Sequence, residues 1–275
     1  MHPTRQESRL IDSEPFPIDS EPLLIESELE FDTAFARGTA TDSHQHRTDT
    51  PTTVVSTGTT IVGATGTDSV VLAGDTRASL GGRFVTNQDV RKVEPIGDRA
   101  AVGFTGSFSS AQALVRQLRA EMRLYEHRHN RSLSTSTLAS MAGSLLRSGR
   151  LPMLELVLVG MDEQPAVYSI GRDGSILESP FAAAGSGMQV AYGALEDAYK
   201  NDRSTDETRS IVTSAVAAAT ERDTASGDGM TIVTIRGKDE PTVEESRHDT
   251  IGSALEACSQ AVDTVNDRSG LEGNR

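Results

Sequence analysis

The chain is short of several things at once. It has one cysteine, Cys258, no tryptophan, and aromatic residues amount to 4% of its 275 positions. A single thiol closes no internal disulfide and has no partners at zinc-site spacing, which excludes a disulfide scaffold and a structural zinc centre and points to the cytoplasm. No stretch approaches the roughly 18–20 apolar residues that span a bilayer, and the N-terminus has neither the cationic start nor the apolar core of a secretory signal. Lysine is scarce as well: of 26 basic residues only Lys92, Lys200 and Lys238 are lysines. Set against 40 acids, they leave a net charge of −14, which argues against nucleic acid or an anionic membrane as partner. A lysine-poor, carboxylate-rich balance is what a surface adapted to high salt shows.

The acids are unevenly spread. Residues 1–58 hold 11 of them and 4 arginines, with Leu23, Leu24 and Ile25 as the only short apolar run. Such a segment buries too little apolar surface to offset its ordering entropy, so it is expected to be disordered or removed. Residues 59–240 form the expected domain, and 241–275 a polar tail with a marginal helix over 251–265.

From Thr59 the pattern changes. Thr59–Ala64 and Ser69–Asp75 read as β-branched strands around the turn Thr65-Gly66-Thr67-Asp68, and Arg99–Thr105 as another strand. Apolar residues then recur at helical spacing over Ser107–His127 (Leu114, Val115, Leu118, Met122) and over Ser134–Arg147 (Leu138, Met141, Leu145). Strands follow at Pro152–Gly160, Ala166–Gly171 and around Ile176, the last reached through the turn Arg172-Asp173-Gly174-Ser175. Helices are expected at Gly187–Tyr199 and Thr205–Ala219, the second capped by Ser204 or Asp206 with Glu207 in its first turn, and Met230–Ile235 is a buried strand. Strands, two helices, strands, two helices and a strand do not alternate as a doubly wound sheet does; they suit an α+β fold of antiparallel sheets with helices outside.

The chemistry begins where the acidic leader meets the first strand, at Gly58-Thr59. Glycine leaves the preceding carbonyl open to the Thr59 hydroxyl. Were that bond to break, Thr59 would gain a free α-amine beside its own hydroxyl, an arrangement suited to nucleophilic catalysis. An α-amine titrates at about 7.7–8.0, close enough to neutral to serve as the base. Taken alone, the dipeptide equally fits the plain start of a strand.

Six further segments stand in order behind it: Gly74-Asp75-Thr76-Arg77-Ala78-Ser79, Arg91-Lys92-Val93, Gly103, Gly185-Ser186-Gly187, Tyr192-Gly193-Ala194-Leu195-Glu196 and Arg222-Asp223-Thr224-Ala225-Ser226-Gly227. With Thr59-Thr60-Ile61-Val62-Gly63 they resemble the β subunits of the 20S proteasome, particularly the archaeal type, among the N-terminal-nucleophile hydrolases. The resemblance runs from Thr59 to about Lys238. Gly81-Gly82 looks like a small insertion relative to the family, and Ser107-Phe108-Ser109-Ser110 departs from its usual text. It implies a four-layer αββα sandwich and a threonine endopeptidase that cuts itself between Gly58 and Thr59. Thr59 would be the nucleophile and its amine the base, with Lys92 beside it, Asp75 holding Lys92, and Ser186, Asp223 and Ser226 orienting the amine and a bridging water. Gly103 would supply an oxyanion N–H, and Ala78, Val90 and Ala101 the wall of a small apolar substrate pocket. The implied partners are β subunits in a seven-membered ring, α-subunit rings, a regulatory ATPase and unfolded polypeptide substrates. Two alternatives share much of this pattern: a non-processing ring subunit, and the simpler bacterial ATP-dependent threonine peptidase.

No metal or other cofactor is implied. His127 and His129, and His44 and His46 in the leader, lack acid or cysteine neighbours arranged as a metal site. Gly185-Ser186-Gly187 lacks the third glycine and distant acid of a dinucleotide fingerprint.

Overall fold

A computed structural model describes residues 58–80, 82–151 and 153–272. The acidic leader, Gly58 apart, lies outside the described residues. In chain order the elements are β1 (Thr60–Thr65), β2 (Ser69–Asp75), β3 (Ala78–Leu80), β4 (Phe84–Asn87), β5 (Val93–Ile96), β6 (Ala100–Gly106), α1 (Phe108–His129) and α2 (Thr135–Arg147). There follow β7 (Leu154–Met161), β8 (Pro165–Ile170), β9 (Ile176–Glu178), β10 (Phe181–Gly185), α3 (Met188–Ala198), α4 (Thr205–Arg222), β11 (Met230–Arg236), β12 (Thr242–His248) and α5 (Ile251–Glu272).

One five-stranded sheet has the order β10-β1-β2-β11-β12 and the other β5-β6-β7-β8-β9, with β3 and β4 a separate hairpin. Every pairing is antiparallel. Ile61, Val70, Leu72, Val157, Val159 and Val233 meet between the sheets. The outer face of the second sheet, through Val102, Leu156 and Leu158, packs on Leu114 and Leu118 of α1 and Leu138 of α2. The outer face of the first, through Val62, Val71 and Ala73, packs on Leu195 of α3 and Val212 and Val216 of α4, with Ala254 and Cys258 of α5 closing that side. The architecture is the expected α+β sandwich of two antiparallel sheets between helices. It explains why β2, Ser-Val-Val-Leu-Ala-Gly-Asp, is buried along its whole length: in a four-layer stack both faces of a central strand are covered, so hydrophobic alternation disappears.

The helix ends follow the residues expected to set them. Ser204 caps α4 in a reciprocal capping box: its Oγ accepts the Glu207 N–H at 3.3 Å, and Glu207 Oε2 accepts the Ser204 N–H at 2.9 Å. Ser107 and Ser134 cap α1 and α2 in the same sense. No helix among the described residues is long and apolar enough to cross a membrane.

The structure adds elements the sequence pattern did not show. β3 and β4 are short, and β4 is exposed throughout; β5 contains Pro95. The expected polar tail from 241 instead begins with β12, whose seven residues pair with β11 from Met230↔His248 to Arg236↔Thr242. Its sequence, Thr-Val-Glu-Glu-Ser-Arg-His, is polar because it is an edge strand, held by backbone bonds that composition does not report.

Candidate active site

Four chain segments converge at one end of the first sheet. The ladder places Thr60 opposite Gly185, Ile61 opposite Gly74, and Asp75 opposite Met230. The residue before β1, the last of β2, the turn after β10 and the loop before β11 are therefore neighbours. Thr59, Asp75, Ser186 and the 223–229 loop, spread over 170 positions of sequence, meet there by register alone.

Asp75 is the hub. Its Oδ1 accepts the Thr60 N–H at 2.9 Å and Lys92 Nζ at 3.0 Å, and its Oδ2 accepts the Gly227 N–H at 2.9 Å and the Arg77 N–H at 3.2 Å. Asp75 is 1% exposed and Lys92 3%. A buried charge is tolerated only when paired and hydrogen-bonded, and this pair meets both conditions. Burial pushes Asp75 above the usual carboxylate range, against the opposing pull of Lys92 and the backbone donors. Burial likewise pulls the Lys92 ammonium below its usual range, with Asp75 opposing.

Around Thr59, the hydroxyl donates to Gly58 O at 2.6 Å, and Lys92 Nζ reaches the same carbonyl oxygen at 3.4 Å. The Thr59 N–H donates to Ser186 Oγ at 3.1 Å. Ser186 in turn donates to Asp223 Oδ2, the oxygen that also accepts Ser226 Oγ at 2.6 Å. The six residues singled out for catalysis are thus one connected network.

Three members were not anticipated. Thr60 Oγ1 joins Ser226 Oγ at 2.9 Å, and Ser79 Oγ accepts the Gly58 N–H at 3.3 Å while donating to Ala225 O at 3.3 Å. Arg77 clamps the 223–229 loop through a two-pronged pair with Asp228, at 3.0 and 3.2 Å, and through Thr224 O at 3.1 Å. The signal for Ser79 and Arg77 was their place in the Gly74–Ser79 segment. Gly58 itself is demanded by space: a Cβ there would lie 1.8 Å from Ala225 Cβ.

A family model described as a proteasome subunit matches residues 55–235. The chain belongs to the proteasome subunit family. It is 44% identical to a proteasome subunit beta of Halorhabdus utahensis, over 74% of this chain and 86% of that one. A proteasome subunit beta of Halomicrobium mukohataei is 47% identical over 67% and 78%, and a proteasome subunit beta 2 of Haloterrigena turkmenica 43% identical over 68% and 79%. Membership places the chain in protein degradation and implies assembly with other proteasome subunits.

The other residues expected at the site of this proteasome subunit lie on β3, on β6 and in the segment before β5. Gly103 sits inside β6, flanked by Val93 of β5 and Val157 of β7. The neighbouring Phe104 N–H donates to Lys92 O at 3.1 Å. A Cβ at Gly103 would lie 2.4 Å from Ile61 Cγ2, so the position needs glycine where β6 approaches β1 close to Thr59. Ala101 is buried between the sheets. Ala78 is buried on β3, opposite Asn87, and Val90, half-buried, donates its N–H to Thr76 O at 2.9 Å. A cavity of about 260 Å³ is lined by Arg91, Glu94, Phe104, Phe108, Gln112 and Val115.

His127 and His129 end α1, where the His129 ring stacks on Tyr125 at 4.4 Å; His44 and His46 lie outside the described residues. Among the described residues no group of three or more His, Cys, Asp or Glu is arranged to hold a metal ion.

Proposed function

We propose that this chain is a catalytic β subunit of a 20S proteasome core: a threonine endopeptidase that frees its own nucleophile by cutting between Gly58 and Thr59. The observation that carries this reading is the Thr59 hydroxyl at 2.6 Å from Gly58 O with Lys92 Nζ at 3.4 Å from the same oxygen. The nucleophile and the positive charge that polarises its target are already in place.

In the first step Thr59 Oγ attacks the Gly58 carbonyl carbon and loses its proton. The Gly58–Thr59 C–N bond breaks as the leaving nitrogen takes up a proton, and Gly58 is left as an ester on Thr59 Oγ. Water then hydrolyses the ester, releasing the Gly58 carboxylate and leaving Thr59 with a free hydroxyl and amine. In peptide hydrolysis the amine accepts the hydroxyl proton as Oγ attacks the scissile carbonyl, and hands it to the departing amine of the substrate; water, activated by the same amine, cleaves the acyl ester. Lys92 lowers the cost of the developing negative charge, Asp75 fixes Lys92, and Ser186, Asp223 and Ser226 orient the amine. The oxyanion N–H is assigned to Gly103 by likeness to the family. Ala78, Val90 and Ala101 are small and apolar, which favours cleavage after apolar residues. The subunit would work in seven-membered rings stacked on α-subunit rings and fed with unfolded polypeptide by an ATPase.

The test is the intact mass and N-terminal residue of the chain assembled with its α partner. Thr59 at the terminus is the expected result. An assembled chain that still begins at Met1 overturns catalysis and leaves the non-processing ring subunit.

A further inference from the structure

Lys92 is held from a side that the catalytic network does not include. Residues 88–92 join β4 to β5, and the contacts of Asp89, Arg91 and Lys92 fall on two sides of the segment. Lys92 points inward to Asp75, and the Val90 N–H donates inward to Thr76 O. Asp89 and Arg91 point the other way, and each meets an opposite charge on β12: Asp89 pairs with Arg247 and Arg91 with Glu245. Glu245 and Arg247 share a face of β12 with Val243, which packs against the core between the sheets. The order is complementary and antiparallel, acid then base on one segment facing base then acid on the other. This side-chain ladder ties the edge of one sheet to the edge of the other.

We propose that β12 is a positioning element for Lys92, and that Glu245 and Arg247 act through Arg91 and Asp89 to set the reach of Lys92 Nζ to the carbonyl under attack by Thr59, which in this structure is that of Gly58. The proposal rests on the catalytic reading above and deepens it. From Phe104 the backbone of Lys92 receives one hydrogen bond to its carbonyl; the segment before it is restrained by Thr76 on the inside, by the two ion pairs on the outside, and by contacts of Arg91 with Val93 O at 3.3 Å and Glu94 at 3.7 Å. Exposed ion pairs contribute little to overall stability. Their effect here is geometric, since a small displacement of a catalytic charge costs more rate than stability.

The experiment measures peptide hydrolysis by the full chain assembled with its α partner, as wild type, Glu245→Arg, Arg91→Glu and the double reversal Arg91→Glu/Glu245→Arg. Each single reversal is expected to lower kcat by roughly threefold to tenfold with KM within about twofold. The double reversal should recover most of kcat, a rescue that loss of fold would not show. If Glu245→Arg does not assemble, Glu245→Gln is measured in its place, with a smaller loss in the same direction. An active wild type whose single reversals leave kcat unchanged, or whose double reversal rescues nothing, overturns the ladder alone. A wild type that assembles but hydrolyses nothing overturns the catalytic reading, and this proposal with it.

Discussion

The two ends of the first sheet carry lysines in opposite circumstances. At the end where Thr59 and Asp75 meet, Lys92 is 3% exposed and lies 3.0 Å from Asp75, whose two oxygens accept four donors between them. At the other end, beyond Arg236, Lys238 lies 3.6 Å from Asp68 with both side chains open to water. Sequence treats both as basic residues beside β-strands. The difference is desolvation: a charge in water loses little when its partner goes, whereas one sealed in the fold depends on that partner. Burial of this kind is costly to fold, and in this chain it is concentrated around one hydroxyl.

The sharpest way to break the contrast is to remove the hydroxyl. Thr59→Ala takes away the nucleophile without removing a charge from the Asp75–Lys92 pair. It is expected to abolish both leader removal and peptide hydrolysis while leaving the fold intact, checked by intact mass, a peptide assay and thermal unfolding of the assembled protein. A processed and active Thr59→Ala protein would sink the mechanism. Next in size, Lys92→Ala leaves Asp75 buried without its cation and should cost about 3–5 kcal/mol of stability together with the activity. Lys238→Ala should stay within about 0.5 kcal/mol of wild type; urea titration of the two variants side by side tests the comparison directly.

The smallest effect concerns His248 at the end of β12, whose imidazole is held below its usual value by burial, with Arg209 adding to the shift and Asp249 opposing it. The unfolded chain then binds this proton more readily than the folded one. The contribution of His248 is fully present above the unfolded value of about 6.5 and is lost as pH falls through the lower folded value. Replacing it with glutamine should flatten the fall of melting temperature with decreasing pH in that window, with little change at pH 8.

Much of the fold was legible because its strongest signals are local. The helical spacing of Leu114, Leu118 and Met122, the Ser204–Glu207 box and the apolar runs of β2 and β11 each report their own element. β12 was not legible, because Glu244, Glu245 and Arg247 are the side chains of a solvent-facing edge and the bonds that make it a strand belong to β11. The site divides in the same way. Thr59, Asp75, Lys92, Ser186, Asp223 and Ser226 could be named because ordered segments resemble a family. Ser79 and Thr60 went unremarked since a hydroxyl beside a motif has no distinctive spacing.

By itself the sequence determined the sign and scarcity of charge, the helices and their caps, and the dipeptide Gly58-Thr59 at the entrance to the first strand. Tertiary structure alone decided that Lys92 is buried, that Gly103 comes against Ile61 of β1, and that the polar segment after 241 closes a sheet edge. The physical reason is that desolvation, ladder register and the pairing of charges across layers are properties of neighbours brought together from distant parts of the chain, and no local run of residues records them.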